Sequence, residues 1–597
     1  MKILNAIIIF YLLLIAPCCT YITVAQTIPA SRITDWRHAG LQDSVPAYNN
    51  MVDIMNYGGI PDGISPNDIP FQNALAALNG QAGTIFFPAG SYLFNQSMNL
   101  GDSIVLKGTG TTSRLLFDLS GNTQDMISVQ GNVGAQTWAV SQYIARNDTA
   151  IYLDSTNGLA IGDWVLLYGN DSSLLFSDWA YGSVGQIFRI KDIQGTKLVT
   201  DMPIRRDYDL VFSARIKHIS PATGTGIQCL YLERLDSTTQ QTTNINFTNA
   251  VNCWVIGVES YRTNFAHIGL SRSAHITIRG NYMHHSWHYG GNGQGYGIAT
   301  QYTSGDCLIE NNIFVHLRHS MLLQSGANGN VFAYNYSNDP YWDEQVLPAN
   351  SAGDAVCHGN YSYLNLFEGN IIQNIVVDDS HGSNGPLNTF FRNRAQLWGI
   401  FMNTGTPTDS MNYAGNEVTN TTIPYGNYSL SGSGHYQFGN NIKGVITPAN
   451  TTALSDNSLY LDGPPAFWVA SLSFPPIGTP SPYNTVENPA KLRLANNDYT
   501  DCTPNPHFEP VNIKETHPNT DILIYPNPAG DHLYVRTNDE TQGSIFHIYN
   551  AIGQSVSSGC LSAGNNYIFL TTLPAGHYIF TIQNIHGIFY AKSITKK

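Results

Sequence analysis

Ile276-Thr277-Ile278-Arg279-Gly280-Asn281, Leu308-Ile309-Glu310-Asn311-Asn312, Val331-Phe332-Ala333-Tyr334-Asn335 and Leu366-Phe367-Glu368-Gly369-Asn370 decide the fold. Each is an apolar run of strand length that closes on Asn. The closing residues fall at 281, 312, 335 and 370. Irregular steps of about 20–35 residues are what a solenoid gives when its coils share strands and differ in their loops. Asn at one turn of successive coils can satisfy backbone groups along the axis, so these residues read as a structural ladder and not as ligands.

The composition around them agrees. Charged residues make up 12% of 597, with 54 Gly, 34 Tyr and 11% aromatics, which suits β structure with tight turns and disfavours coiled coils, helical bundles and disordered chains. A formal charge of −14 offers no basic footprint for a phosphate backbone, which argues against nucleic acid as a partner. An acidic polymer remains a suitable substrate where a local cationic patch or bound Ca²⁺ offsets the repulsion.

Upstream lie Asn56-Tyr57-Gly58-Gly59, Pro61-Asp62-Gly63, a helix candidate from Phe71 to Leu78, and Thr84-Ile85-Phe86-Phe87-Pro88-Ala89-Gly90-Ser91-Tyr92-Leu93. Their order is strand, turn, helix, strand. These residues resemble the N-terminal cap of the pectate-lyase-like family of right-handed parallel β-helices. The resemblance implies an all-β solenoid over residues 45–500 acting on polysaccharide. Between Ile151 and Ile204 no Asn-closed segment recurs, and Gly162-Asp163-Trp164-Val165-Leu166-Leu167 opens a strand-rich stretch. A small β insertion is expected near 140–210, on the cap side.

The two ends read as addresses. Lys2, the apolar run Ile7 to Ile15 and Thr23-Val24-Ala25 before Gln26 give the order of a secretory signal peptide over residues 1–25. Pro17-Cys18-Cys19-Thr20 breaks that run below spanning length, and no later stretch is apolar enough to cross a membrane. The remaining cysteines, Cys229, Cys253, Cys307, Cys357, Cys502 and Cys560, form no CxxC pair and no zinc spacing. A Pro/Asn-rich linker at 501–519 precedes Ile522-Leu523-Ile524-Tyr525-Pro526-Asn527-Pro528, Leu573-Pro574-Ala575-Gly576-His577-Tyr578 and Lys592-Ser593-Ile594-Thr595-Lys596-Lys597. Residues 520–597 resemble the C-terminal sorting domain of type IX secretion cargo. That implies a small C-terminal β-sandwich, the type IX secretion machinery as a partner, a Bacteroidetes-type outer membrane, and a product secreted or attached to the cell surface.

The densest polar grouping lies between His284 and Arg394. His288 and His319 each stand seven residues past a ladder Asn, and Asp343 and Asp378 eight past, so the four are expected on one edge of the solenoid. Trp287, Tyr289 and Trp342 suit stacking on sugar rings, with His358 as a polar neighbour. In β-elimination on a uronic acid polymer a base removes the C5 proton while a cation neutralises the adjacent carboxylate. Arg318, Arg392 and Arg394 are the candidate cations and His319 or Arg318 the base, with His288 beside them. Related lyases often hold Ca²⁺ on carboxylates, a role Asp343 and Asp378 would take. Hydrolysis needs two carboxyl groups about 5–9.5 Å apart, and Asp378-Asp379 with His381-Gly382 is similar to the polygalacturonase relatives, without their companion Asn-Thr-Asp coil. Elimination is the preferred reading, hydrolysis the alternative, and a non-catalytic carbohydrate-binding or adhesive β-helix the third.

Overall fold

The computed structural model describes residues 27–344, 352–403, 405–502, 522–537, 544–550, 555–562, 564–571, 573–584 and 587–597. The expected signal peptide at 1–25, and the expected linker apart from Asp501 and Cys502, lie outside the described residues. The chain divides into one unit ending at Thr503 and a second beginning at Pro504.

The first unit is a right-handed parallel β-helix. One coil shows its anatomy: strand Thr277–Arg279 on face A, a turn at Asn281, strand Tyr282–Ser286 on face B, a loop, and strand Tyr296–Gln301 on face C. Successive coils pair in parallel. Face A runs Trp254, Thr277, Leu308, Val331, Leu366, Thr389, Asn412 from rung to rung. At the turn between faces A and B, Asn281, Asn312, Asn335, Asn370, Asn393, Asn416 and Asn440 form the ladder. Each Nδ2 donates to the next Oδ1 at 2.9–3.1 Å. Inside, Phe332, Phe367, Phe390 and Tyr413 stack with centroids 5.0–5.3 Å apart. Identical rungs therefore put both a polar and an aromatic column along the axis. Cys253, Cys307 and Cys357 are buried in this core as small apolar groups.

The helix Asp68–Ala77 closes the N-terminal end, burying Phe71 and Ala74. It starts before the expected Phe71 because Asn67 ends the preceding turn, its Oδ1 accepting from Ile60 N at 2.7 Å, and Pro70 is tolerated in a first turn. Gly90 has φ +151°, and a Cβ there would collide with Pro61, which is why the Pro-Ala-Gly turn needs glycine.

Residues 132–220 leave the solenoid to form a six-stranded antiparallel sheet with its own core around Val165, Phe188 and Ile216. It rests on the turns leading out of face C, through Leu166, Ile187 and Ile219 against Val251 and Ala274, and through the buried ion pair Arg205–Asp306.

After the last coil the chain returns as a strap. Tyr460 and Trp468 cover face A beside Tyr334 and Phe391, and the helix Pro489–Ala495 covers face B at Ile313, Tyr336 and Ile371. The second unit packs two sheets over one core. The three-stranded sheet contains Leu523–Tyr525, His532–Thr537 and Gly564–Phe569. The four-stranded sheet contains Ile545–Tyr549, Ser555–Cys560, Gly576–Asn584 and Gly587–Lys596. It is the small β-sandwich expected.

Candidate active site

The strap covers faces A and B of the later coils, and face C carries the polar groups that converge. A row of polar side chains ends its strands, one per coil: Gln301, Gln324, His358, Asp378 and Asn403. Gln301 Nε2 donates to Gln324 Oε1 at 2.9 Å, and Gln324 Nε2 meets His358 Nδ1 at 3.0 Å. His358 Nε2 lies 3.3 Å from Asp378 Oδ2, and Asn403 Nδ2 donates to Asp378 Oδ1 at 2.6 Å. All but Gln301, which follows Thr300, come directly after an apolar run in the sequence, as in Ile375-Val376-Val377-Asp378. A polar residue closing an apolar strand marks this edge of face C independently of the offset from the ladder Asn.

Rings close on this row from the start of the strands. His319, on Tyr296's row, has its centroid 5.0 Å from Tyr296 and 5.5 Å from His358. His381 stacks on His358 at 4.7 Å. The Arg318 guanidinium sits over Trp342 at 4.6 Å and Tyr296 at 5.6 Å. Arg318 donates Nη1 to Gly290 O, while its buried Nε has no partner. His319 Nδ1 donates to Gly353 O at 2.8 Å, which fixes the tautomer and leaves Nε2 as a lone-pair nitrogen. Burial, with Arg318 nearby, holds His319 well below the usual imidazole range. Burial also lowers His358 to about 4. Asp378 is held at about 2: burial opposes ionisation, but His358, Ser380 and Asn403 outweigh it.

Arg318, His319, Trp342, His358, Asp378 and His381 are thus brought together, and Tyr296, Gln301, Gln324 and Asn403 join them. The other expected residues stand apart. Arg392 and Arg394 are fully buried strap anchors and not face C cations. Arg392 donates to Asp456 O, Ile477 O and Thr479 O at 2.8–3.1 Å, and Arg394 pairs with Glu417 at 2.7 Å. Asp379 turns inward to accept from Thr408 N at 3.1 Å. His288 is exposed in the loop before Tyr296. Trp287 donates to Arg234 O at 3.2 Å and lies under Arg262. Tyr289 packs on His316 and Tyr341.

His288, His319, Asp343 and Asp378 do not share one edge, because the path from face B to face C varies. It is a long loop after Ser286, three residues after Val315, and a single strand Ile371–Val377 in the later coil. A fixed count therefore lands at different points of the coil. Asp343 is exposed beside Gly290, and Asp378 spends both oxygens on His358, Asn403 and Ser380. These two carboxylates do not fit a shared Ca²⁺ site. Among the described residues no three His, Cys, Asp or Glu side chains converge as metal ligands.

Residues 51–162 match the family model described as rhamnogalacturonase A/epimerase, pectate lyase-like, and residues 523–597 match the secretion system C-terminal sorting domain. The solenoid opens on a pectate-lyase-like segment. The C-terminal unit is a sorting domain, which makes the chain type IX secretion cargo, secreted or attached at the cell surface.

No curated protein matches the chain. Among solved structures, it is similar to the Gp54 tailspike of Acinetobacter baumannii bacteriophage AP22 in complex with A. baumannii capsular saccharide, at 10% identity over 65% of this chain and 69% of that one, TM-score 0.31. It is also similar to the Pseudomonas phage phi297 tailspike gp61, at 11% over 92% and 98%, TM-score 0.34. A hyperthermoactive exopolygalacturonase from Thermotoga maritima matches at 11% over 68% and 94%, TM-score 0.33. No helix of the described residues is long and apolar enough to cross a membrane.

Proposed function

We propose that this protein is an exported polysaccharide lyase that cleaves a uronic-acid-containing glycan by β-elimination on face C. The observation that carries the reading is the state of His319: a neutral imidazole with Nδ1 tied to Gly353 O, a free Nε2, and Arg318 alongside. Nε2 takes the C5 proton. The C–H electron pair becomes the C4–C5 double bond, the C4–O bond breaks, and the departing oxygen takes a proton from solvent. The Arg318 guanidinium neutralises the uronate carboxylate and so stabilises the charge that develops as the proton leaves. Trp342 and Tyr296 border the cation with apolar rings.

Hydrolysis is less well served. Asp378 is kept ionised and fully hydrogen-bonded, which unsuits it as a general acid, and Asp379 faces away. The test follows the ultraviolet absorbance of unsaturated uronate ends released from a panel of uronans. The wild type should give that absorbance with or without chelator, and His319→Ala should lose it by about 10²–10⁴-fold. Reducing ends without the absorbance would mean hydrolysis, and cleavage of no glycan would favour a binding stalk.

A further inference from the structure

Between the antiparallel insertion and the turns leaving face C lies a cavity of about 500 Å³, lined by Gln130, Tyr168, Tyr181, Lys217, Asn249 and Arg272 among others. No Asp or Glu lines it, in a chain of net charge −14. Lys217 and Arg272 are half-buried. Among the described residues neither side chain makes an ion pair or a hydrogen bond. They contact rings instead, Lys217 Nζ 4.9 Å from the Tyr168 centroid and the Arg272 guanidinium 5.5 Å from that of Tyr302. Asn249 donates to Gly131 O at 3.3 Å, but its Oδ1 is buried with no partner. Two uncommitted cations suit a carboxylate, an orphaned buried acceptor suits a hydroxyl, and Tyr181, half exposed, suits the face of a ring. A hydroxylated ring bearing a carboxylate supplies all three.

The cavity also has an address along face C. Gln130, Thr248, Ser271 and Gln301 share one row of face C, and Gln301 hands on to Gln324. Asn249 and Arg272 stand one residue past that row. Two rungs, roughly 10 Å, separate Ser271 from the strand that carries His319. The geometry points to a subsite for a uronic acid residue, built by the insertion a few sugar rings from the point of cleavage, with Lys217 and Arg272 selecting acidic chains. The inference rests on the proposed face C function for the polymer to which that residue belongs.

The test separates the two. D-glucuronate, D-galacturonate, D-glucose and D-galactose are titrated against the full chain, His319→Ala and the double variant Lys217→Ala/Arg272→Ala, with binding read by saturation-transfer NMR. At least one uronate should bind the wild type and His319→Ala alike. It should bind the double variant about tenfold or more weakly, the scale of a lost charged hydrogen bond. The double variant Lys217→Arg/Arg272→Lys, which keeps both charges, should retain binding and so reports on folding. Undiminished binding to the alanine variant, equal binding of the neutral sugars, or no uronate binding by the wild type would overturn the subsite. If His319→Ala still released unsaturated ends, the elimination reading would fail while this result stood.

Discussion

His358 Nε2 lies 3.3 Å from Asp378 Oδ2 on the next coil, while its Nδ1 meets the Gln324 amide nitrogen at 3.0 Å. Both imidazole nitrogens are engaged, so His358 is a positioning residue beside His319, whose Nε2 keeps its lone pair.

Replacing Asp378 tests that arrangement. Asp378→Ala leaves the His358 and Asn403 donors unpaired in a mostly buried site, an expected loss of about 2–4 kcal/mol in denaturant unfolding. Asp378→Asn keeps the shape and loses the charge. Because the folded carboxyl stands at about 2 and the unfolded one near 3.8, the wild type's advantage over Asp378→Asn is full above 3.8 and is lost as pH falls towards 2. An advantage that did not shrink across that window would contradict an ionised Asp378.

His267 makes a second pH-dependent contribution. It is fully buried, with Nδ1 2.8 Å from Ser260 Oγ and Nε2 3.1 Å from His285 O, and burial lowers it to about 3. Below an unfolded value of 6.5 the unfolded chain gains a proton that the folded chain refuses. The wild type should therefore lose stability relative to His267→Gln as pH falls from 6.5 towards 3, by about 1.4 kcal/mol per pH unit in mid-window. Unfolding midpoints of the two proteins across this range check it, and parallel curves would count against a neutral His267.

Asp354 acts with the opposite sign. It is buried beside Ser337, accepts from Gln373 N at 3.0 Å and Asn374 N at 2.7 Å, and is pushed by burial up to about 7. The folded state holds this proton where the unfolded chain has released it. Asp354→Asn should thus gain stability relative to the wild type as pH rises from 3.8 to 7, then level off. Comparing the pair at pH 4 and pH 8 is sufficient, and equal differences at both would refute the assignment.

The parts of this molecule that repeat were legible in sequence, and the parts that differ from coil to coil were not. Asn281, Asn312, Asn335 and Asn370 announced the solenoid because one turn geometry demands one side chain at every rung. Arg318 and His319 stand out in sequence within the polar grouping from His284 to Arg394. Arg392 and Arg394 looked equally suitable, and only the strap from Ser455 to Val486, distant in sequence, shows that they are anchors. Gln301 and Gln324 carry neutral amides, which give no sign of chemistry in sequence until the row they belong to is assembled. Register along face C depends on loop lengths, and those follow no period.

Breaking the Asn ladder at its centre should damage the solenoid more than a single surface hydrogen bond would suggest. Asn370 Nδ2 donates to Phe332 O at 2.8 Å and Asn393 Oδ1 at 2.9 Å, while its Oδ1 accepts from both Asn335 N and Asn335 Nδ2 at 3.0 Å. The residue is fully buried, so Asn370→Ala removes four hydrogen bonds where water cannot reach, and only Asn393 Oδ1, which still accepts from Asn370 N, and Asn335 Nδ2, which still donates to Ile309 O, keep a partner of their own. At about 1–3 kcal/mol for an unsatisfied buried group, partly relieved by relaxation, an overall loss of about 3 kcal/mol or more is expected. Asn370→Asp retains the acceptor but buries a charge and removes two donations, and it should fare no better. Asn420, half-buried at the rim with its Nδ2 3.3 Å from Gln396 O, provides the control, and Asn420→Ala should cost about 1 kcal/mol or less. Urea unfolding of the three variants decides the point: similar midpoints for Asn370→Ala and Asn420→Ala would mean that the ladder is ornament and that the stacked Phe332, Phe367 and Phe390 alone hold the coils in register.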